Sequence, residues 1–74
     1  MFEVGYSGSS LNVDTIEPIL GNAISADPNI LLSGHCIRTD IEQVAKDYAL
    51  ALHRAGADPT IYAKYGRIVP FLNT

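Results

Sequence analysis

The first half of the 74-residue chain lacks basic side chains, because residues 1–37 contain no Lys and no Arg. Residues 38–74, in contrast, hold all five cations together with four carboxylates. Carboxylates that gather without countercharges create a negative potential that steers basic partners. We therefore predict a partner-binding surface formed by the acidic residues of the first half, which are Glu3, Asp14, Glu17 and Asp27.

Three further absences exclude whole classes of protein. Cys36 is the only cysteine, so the chain has no internal disulfide and suits a reducing cytoplasm. No apolar run approaches the ~20 residues that cross a bilayer. The opening Met-Phe-Glu lacks the basic segment that begins a signal peptide. We therefore expect a cytoplasmic protein that does not bind a membrane.

No catalytic, metal or cofactor signature is present. His35, Cys36 and His53 offer too few soft ligands for a tetrahedral metal site, and neighbours in a strand point to opposite faces, which separates a His35–Cys36 pair. The Ser7-to-Ser10 segment lacks the Lys and the spacing of a phosphate-binding loop. We expect no enzyme activity, no cofactor and no metal.

Hydrophobic residues make up 47% of the chain and charged residues 18%, which predicts one globular domain over residues 1–74. Alternation from Phe2 to Tyr6 predicts a first strand. A helix capped by Asp14 or Thr15 follows, with Pro18 in its first turn.

Two interpretations fit residues 30–37: a strand with a bulge at Gly34, which we favour, or a short helical turn opened by Pro28. Next, the sequence from Thr39 to Glu42 matches a capping box, so a second helix is predicted from about Asp40 to Ala55.

The last segment predicts a hairpin of strands 60–64 and 67–72 around a two-residue loop, Tyr65-Gly66. That loop would place Tyr62, Val69 and Phe71 on one face, beside Lys64 and Arg67. The resulting order is β-α-β-α-β-β, an α+β domain with two helices packed on a small sheet and a C-terminal β-hairpin.

Aromatic and basic groups on the predicted hairpin face, with Tyr62, Val69 and Phe71, favour a protein interface, a dimer seam or the second side of a two-sided core. RNA binding through the same face is a further hypothesis, which a pI near 5.0 argues against. Leu50 projects opposite the apolar stripe of the second helix and is a further candidate contact.

The run from Asp40 to Leu52 (DIEQVAKDYALAL), the segment from Gly56 to Tyr62 (GADPTIY) and the closing hairpin resemble in style small proteins of phages and mobile elements. Among these the chain resembles the anti-CRISPR inhibitors in size, acidity and architecture. The resemblance implies a stoichiometric binder in the bacterial host cytoplasm that occupies a basic, nucleic-acid-handling surface of a CRISPR effector complex.

The alternative is a structural homo-oligomer or virion adaptor that assembles through the predicted Tyr62, Val69 and Phe71 face. Both hypotheses describe a non-catalytic protein-binding module, and they differ in the surface used.

Overall fold

A computed structural model describes residues 1–7 and 11–72 of the chain. In these two ranges the chain forms two helices and five strands, which confirms the predicted α+β class. Residues 8–10 of the Ser7-to-Ser10 segment, for which no phosphate-binding loop was predicted, lie outside the described residues. In chain order the elements are β1 (Phe2–Ser7), α1 (Val13–Ala26), β2 (Leu31–Ser33), β3 (Cys36–Thr39), α2 (Glu42–Arg54), β4 (Asp58–Tyr62) and β5 (Ile68–Val69).

The first helix is capped by Asn12. The prediction of Asp14 or Thr15 as the cap was therefore wrong. The Asn12 side chain accepts a hydrogen bond from the Thr15 amide at 2.9 Å, which satisfies one of the free amides of the first turn. Pro18 consequently lies in the second turn, where its ring nitrogen cannot donate to the carbonyl of Asp14. Ile16 and Ala23 are the buried residues of this helix.

The second helix begins two residues later than predicted, and the capping box does not form. The Thr39 hydroxyl accepts from the Ile41 amide at 3.1 Å, and the Glu42 carboxylate pairs with Lys46 at 3.1 Å. The helix ends at Arg54, one residue before the predicted end, and Gly56 adopts a φ of 102° that other residues avoid. Its buried stripe consists of Val44, Ala45, Tyr48, Ala49 and Leu52.

Residues 31–39 form a hairpin, and both predicted interpretations of residues 30–37 were therefore incomplete. Ser33 pairs with Cys36 across a two-residue turn, Gly34-His35. Gly34 has a φ of 62°, a conformation that glycine adopts without steric cost and that tight hairpin turns require. The glycine thus reverses the chain where we had predicted a bulge.

The C-terminal hairpin is present, but its predicted register was wrong by one residue. Tyr62 pairs with Ile68 and Ile61 with Val69, around a loop centred on the three-residue turn Lys64–Gly66. Because side chains alternate along a strand, a slip of one residue moves every side chain of one strand to the other face. Val69 therefore lies beneath the helices with Ile61, and Tyr62 does not share its face.

The sheet is antiparallel throughout, in the order β2-β3-β1-β4-β5. Strand β3 lies between β1 and β2, and strand β1 lies between β3 and β4, as in the split β-α-β arrangement. α2 packs across β1, β3 and β4, and α1 packs on α2. The residues with side chains in this helix-side core include Val4, Ile16, Ile37, Leu52, Ile61 and Val69.

The opposite face of the sheet is not covered by either helix. We call it the open face, and it carries the alternate side chains of the strands: Leu31, Ser33, Cys36, Arg38, Glu3, Gly5, Ser7, Asp58, Thr60, Tyr62 and Ile68. A protein this small leaves much of its surface apolar, so an uncovered sheet face needs a functional explanation only if its side chains are organised.

Candidate protein-interaction surface

One row of side chains crosses the open face from edge to edge. The strand registers place Leu31 beside Arg38, Arg38 beside Glu3, Glu3 beside Tyr62, and Tyr62 beside Ile68. Each neighbour pair joins adjacent strands, so all five strands contribute one residue. We call this set, Leu31-Arg38-Glu3-Tyr62-Ile68, the central row.

The outer members of the central row are large apolar side chains in contact with solvent. Leu31 is 55% exposed, Tyr62 43% and Ile68 64%. An exposed apolar residue by itself is ordinary. Here exposed apolar residues lie at both ends of one row, so they belong to the same surface. Such a surface, with an aromatic residue and an Arg in it, has the composition of a protein interface.

The middle of the central row is an ion pair. Arg38 donates from Nε to Oε2 of Glu3 at 2.7 Å, and both side chains remain about half exposed. This bond uses the Nε–H of Arg38 and one oxygen of Glu3, so the other N–H groups of the guanidinium and the second carboxylate oxygen can bind groups on another molecule.

A second row beside the central row consists of small side chains, which do not project far from the sheet. It contains Cys36, Gly5 and Thr60, and a Cβ atom built on Gly5 would lie 3.5 Å from the Cys36 sulfur, in ordinary contact. Shallow depressions flank the ion pair on its two sides, one lined by Met1, Tyr62 and Gly66 and the other by Leu31, Ser33 and Cys36. The open face is therefore shallow and suited to a broad partner.

The hairpin residues predicted to form one contact surface are separated. Tyr62 lies in the central row, whereas Val69 is buried on the helix side of the sheet. Phe71 is half-buried and its ring meets the edge of His53 at a centroid distance of 6.2 Å, beside α2. Leu50 is partly exposed on α2. The face predicted from Tyr62, Val69 and Phe71 together does not exist.

The four predicted acidic residues do not gather on one side. Glu3 lies on the open face, whereas Asp14 and Glu17 lie exposed on α1, in the helix layer. Asp27 is buried, where its carboxylate accepts hydrogen bonds from the Thr39 hydroxyl at 2.5 Å and from the Asn29 amide at 3.1 Å. Asp27 thus joins the end of α1 to the end of β3. Of the four predicted acidic residues, only Asp14 and Glu17 form an acidic pair at the surface.

The His35-Cys36 pair is divided between two surroundings, as alternation predicts. Cys36 lies exposed on the open face, and His35 Nδ1 shares a hydrogen bond with the Tyr6 hydroxyl at 3.0 Å. His53 lies beside Phe71 in the helix layer, away from Cys36. Across the described ranges no three His, Cys, Asp or Glu side chains come close enough to hold a metal ion.

Tyr48 anchors the turn that precedes β3. Its hydroxyl donates to the carbonyl of His35 at 2.5 Å, from a side chain that is almost fully buried. Burial above all, together with the nearby ionisable groups of Tyr6 and Cys36, raises the pKa of Tyr48 to about 12. The neutral phenol therefore persists to high pH and holds the Gly34-His35 turn against α2.

Sequence reasoning missed three members of the central row: Leu31, Arg38 and Ile68. The alternation of Arg38 with Ile37 could have assigned the face of Arg38, whereas Leu31 and Leu32 are both apolar and carry no such signal. Their alignment into one row depends on non-local strand pairing, which alternation within one strand does not specify.

Comparison of the chain with protein-family models, with curated proteins and with solved structures found no significant match. Within residues 1–7 and 11–72, neither helix has the length and apolar character needed to span a membrane. Strand order alone does not assign an activity, because one fold serves many functions. Function is therefore inferred from the open face.

Proposed function

We propose that the protein is a non-catalytic protein-interaction module and that the open face of its sheet is the binding surface. The observation that carries the proposal is the central row, in which exposed apolar side chains from both sheet edges flank an ion pair. Interfaces of this kind combine apolar contact area, which supplies affinity, with charges that orient the partner.

The composition of the open face favours a protein over a nucleic acid. Arg38 is the open-face cation of the five strands, and it already pairs with Glu3. Nucleic-acid affinity comes mainly from neutralised phosphates and needs several cations on one surface. Tyr62 is the single aromatic residue on the face, so successive bases would have few rings on which to stack.

Affinity capture with two matched variants tests this proposal. Ile68→Asp adds a charge to the open face, whereas Ile24→Asp adds one to α1, and both residues are exposed isoleucines. Tagged wild type, Ile68→Asp and Ile24→Asp are each used to capture proteins from cells of the source organism that co-express an untagged copy of the chain. We expect wild type and Ile24→Asp to retain the same partner and Ile68→Asp to lose it.

Two results would contradict the proposal. One is a wild-type protein that retains nothing above a blank resin, and the other is an Ile68→Asp variant that retains the partner as well as wild type. Circular dichroism of both variants establishes that they are folded before capture.

A second candidate function is the inhibition of a CRISPR effector complex, which the exposed pair Asp14 and Glu17 supports. Neither residue forms an ion pair in the part of the chain that the structure describes, so both carboxylates can meet a basic surface. This candidate predicts that expression of the chain protects a phage from CRISPR interference and that Asp14→Lys with Glu17→Lys removes the protection. Unchanged plaque counts on expression of the wild-type chain would refute it.

A further inference from the structure

The central row has a property that goes beyond general suitability for binding, because it is complementary to itself. Its order across the sheet is apolar, cation, anion, aromatic, apolar: Leu31, Arg38, Glu3, Tyr62, Ile68. The boundary between β3 and β1 separates the cation from the anion. A two-fold axis at that boundary would therefore exchange the two charges.

Consider two copies of the sheet packed face to face about a two-fold axis that runs parallel to the strands, between β3 and β1. The axis places Arg38 of each copy opposite Glu3 of the other. It also places Leu31 of each copy opposite Tyr62 of the other. Ile68 then lies at the rim of the interface, beside the edge strand β2 of the facing sheet and about one strand spacing from it. Every charged position of the central row then meets an opposite charge, and every apolar position of the row within the overlap meets an apolar one.

The other simple arrangement fails on charge. A two-fold axis parallel to the sheet but perpendicular to the strands, along the row itself, would place Arg38 opposite Arg38 and Glu3 opposite Glu3. Like charges opposed in a desolvated interface are strongly unfavourable. The first arrangement also keeps the strands of the two sheets roughly aligned, which is the common geometry of packed sheets.

We propose that the partner of the open face is a second copy of this chain, bound face to face with Arg38 of each copy paired to Glu3 of the other. This inference rests on the proposed function and names the partner for the same surface. The intramolecular ion pair uses one nitrogen and one oxygen, so the remaining guanidinium and carboxylate atoms form the bonds between copies.

The apolar residues supply the attraction and the four charges fix the orientation. Desolvation of an ion pair roughly cancels its Coulomb gain, so a central charge cluster contributes specificity more than affinity. Strands spaced about 4.8 Å apart give the overlapping sheets only roughly 300–400 Å² of flat area per copy, which is well below a standard interface. The dimer is accordingly weak. The fraction of chains in the dimer therefore changes with protein concentration between the micromolar and the millimolar range.

A charge-reversal mixing experiment tests the dimer. Arg38→Glu presents two anions at the centre of the row, and Glu3→Arg presents two cations. Each variant alone opposes like charges in the dimer, and each breaks the intramolecular pair equally. Only in the mixture does every charge of one chain face an opposite charge on the other.

Sedimentation equilibrium from micromolar to millimolar concentration is the measurement, at low salt. We expect wild type to dimerise, each single variant to dimerise at least about tenfold more weakly, and an equimolar mixture to recover dimers. A control reversal on α1, Glu17→Arg, leaves the wild-type dimer constant unchanged. Circular dichroism verifies that all variants are folded.

Three results would overturn the inference: a wild type that stays monomeric at millimolar concentration, single variants that dimerise as well as wild type, or a mixture that stays monomeric. The last two indicate another interface, such as pairing of the edge strand β2. A monomeric wild type is compatible with a capture experiment that still shows a partner that binds wild type and not Ile68→Asp. That pair of results overturns the dimer and leaves the proposed function standing.

Discussion

Removal of the Tyr48 hydroxyl has an effect on stability that changes with pH. At neutral pH, Tyr48→Phe leaves the His35 carbonyl without its phenol donor, and we expect the free energy of unfolding to fall by about 1–2 kcal/mol. Tyr65→Phe is the matched control, because Tyr65 is 94% exposed and loss of its hydroxyl changes stability by less than about 0.5 kcal/mol.

The sign of the pH effect follows from the raised pKa. The folded protein holds the Tyr48 proton up to a pKa of about 12, whereas an unfolded chain releases it near the ordinary value of 10.0. Between these values the unfolded state binds fewer protons, so the stability that Tyr48 contributes is complete below pH 10 and is lost as pH rises. Each pKa unit corresponds to about 1.4 kcal/mol, which gives a total loss near 3 kcal/mol.

Urea unfolding of wild type and Tyr48→Phe at a series of pH values measures this difference. We expect the stability advantage of wild type to be constant from pH 7 to 9 and to shrink by about 1.4 kcal/mol at pH 11. Phenolate absorbance provides an independent check, because Tyr48→Phe should lack the component that titrates last. An advantage that stays constant to pH 11 would refute the burial of a neutral phenol against the turn.

Three further substitutions test local structure by chemical denaturation. Asp27→Ala removes the acceptor of the buried Thr39 hydroxyl and should cost about 2 kcal/mol; a loss below that of exposed Asp40→Ala would contradict the link between α1 and β3. Asn12→Ala should cost about 1 kcal/mol by removal of the helix cap, and no loss would refute that cap. Tyr65→Gly should stabilise the protein by up to about 1 kcal/mol, because Tyr65 has a φ of 65° that glycine adopts without strain; destabilisation would show that the turn needs the Tyr side chain.

The sequence was sufficient where local chemistry determines local structure. The apolar stripe from Val44 to Leu52 and the glycine that ends the helix at Gly56 predicted α2 to within two residues at each end. The α+β class followed from the mixture of helical and alternating patterns. In each case the signal lies within one element and needs no knowledge of the rest of the chain.

The turns were the point at which prediction failed, because single residues with positive φ determine them. Tyr65 adopts the left-handed conformation together with Gly66, which lengthens the hairpin loop and shifts the register by one residue. Tyr rarely adopts that conformation, so the two-residue loop was the simpler interpretation. The error moved Val69 from an expected contact surface into the core.

The candidate site was largely beyond prediction for the same reason. Glu3 and Tyr62 were expected to contact a partner, but they were assigned to two different surfaces. Only the pairing of β1 with β4 places them side by side. Charge counted along the sequence likewise carries no information about burial, and Asp27 proved to be a buried acceptor for Thr39.

Photo-crosslinking in living cells tests the role of the open face most directly. Ile68 on the open face and Ile24 on α1 are each replaced by benzoylphenylalanine, and adducts are identified by mass spectrometry after irradiation. We expect position 68 to form protein adducts, including adducts with a second copy of the chain, and position 24 to form far fewer. Equal yields at the two positions, or no adducts at position 68, would contradict binding through the open face.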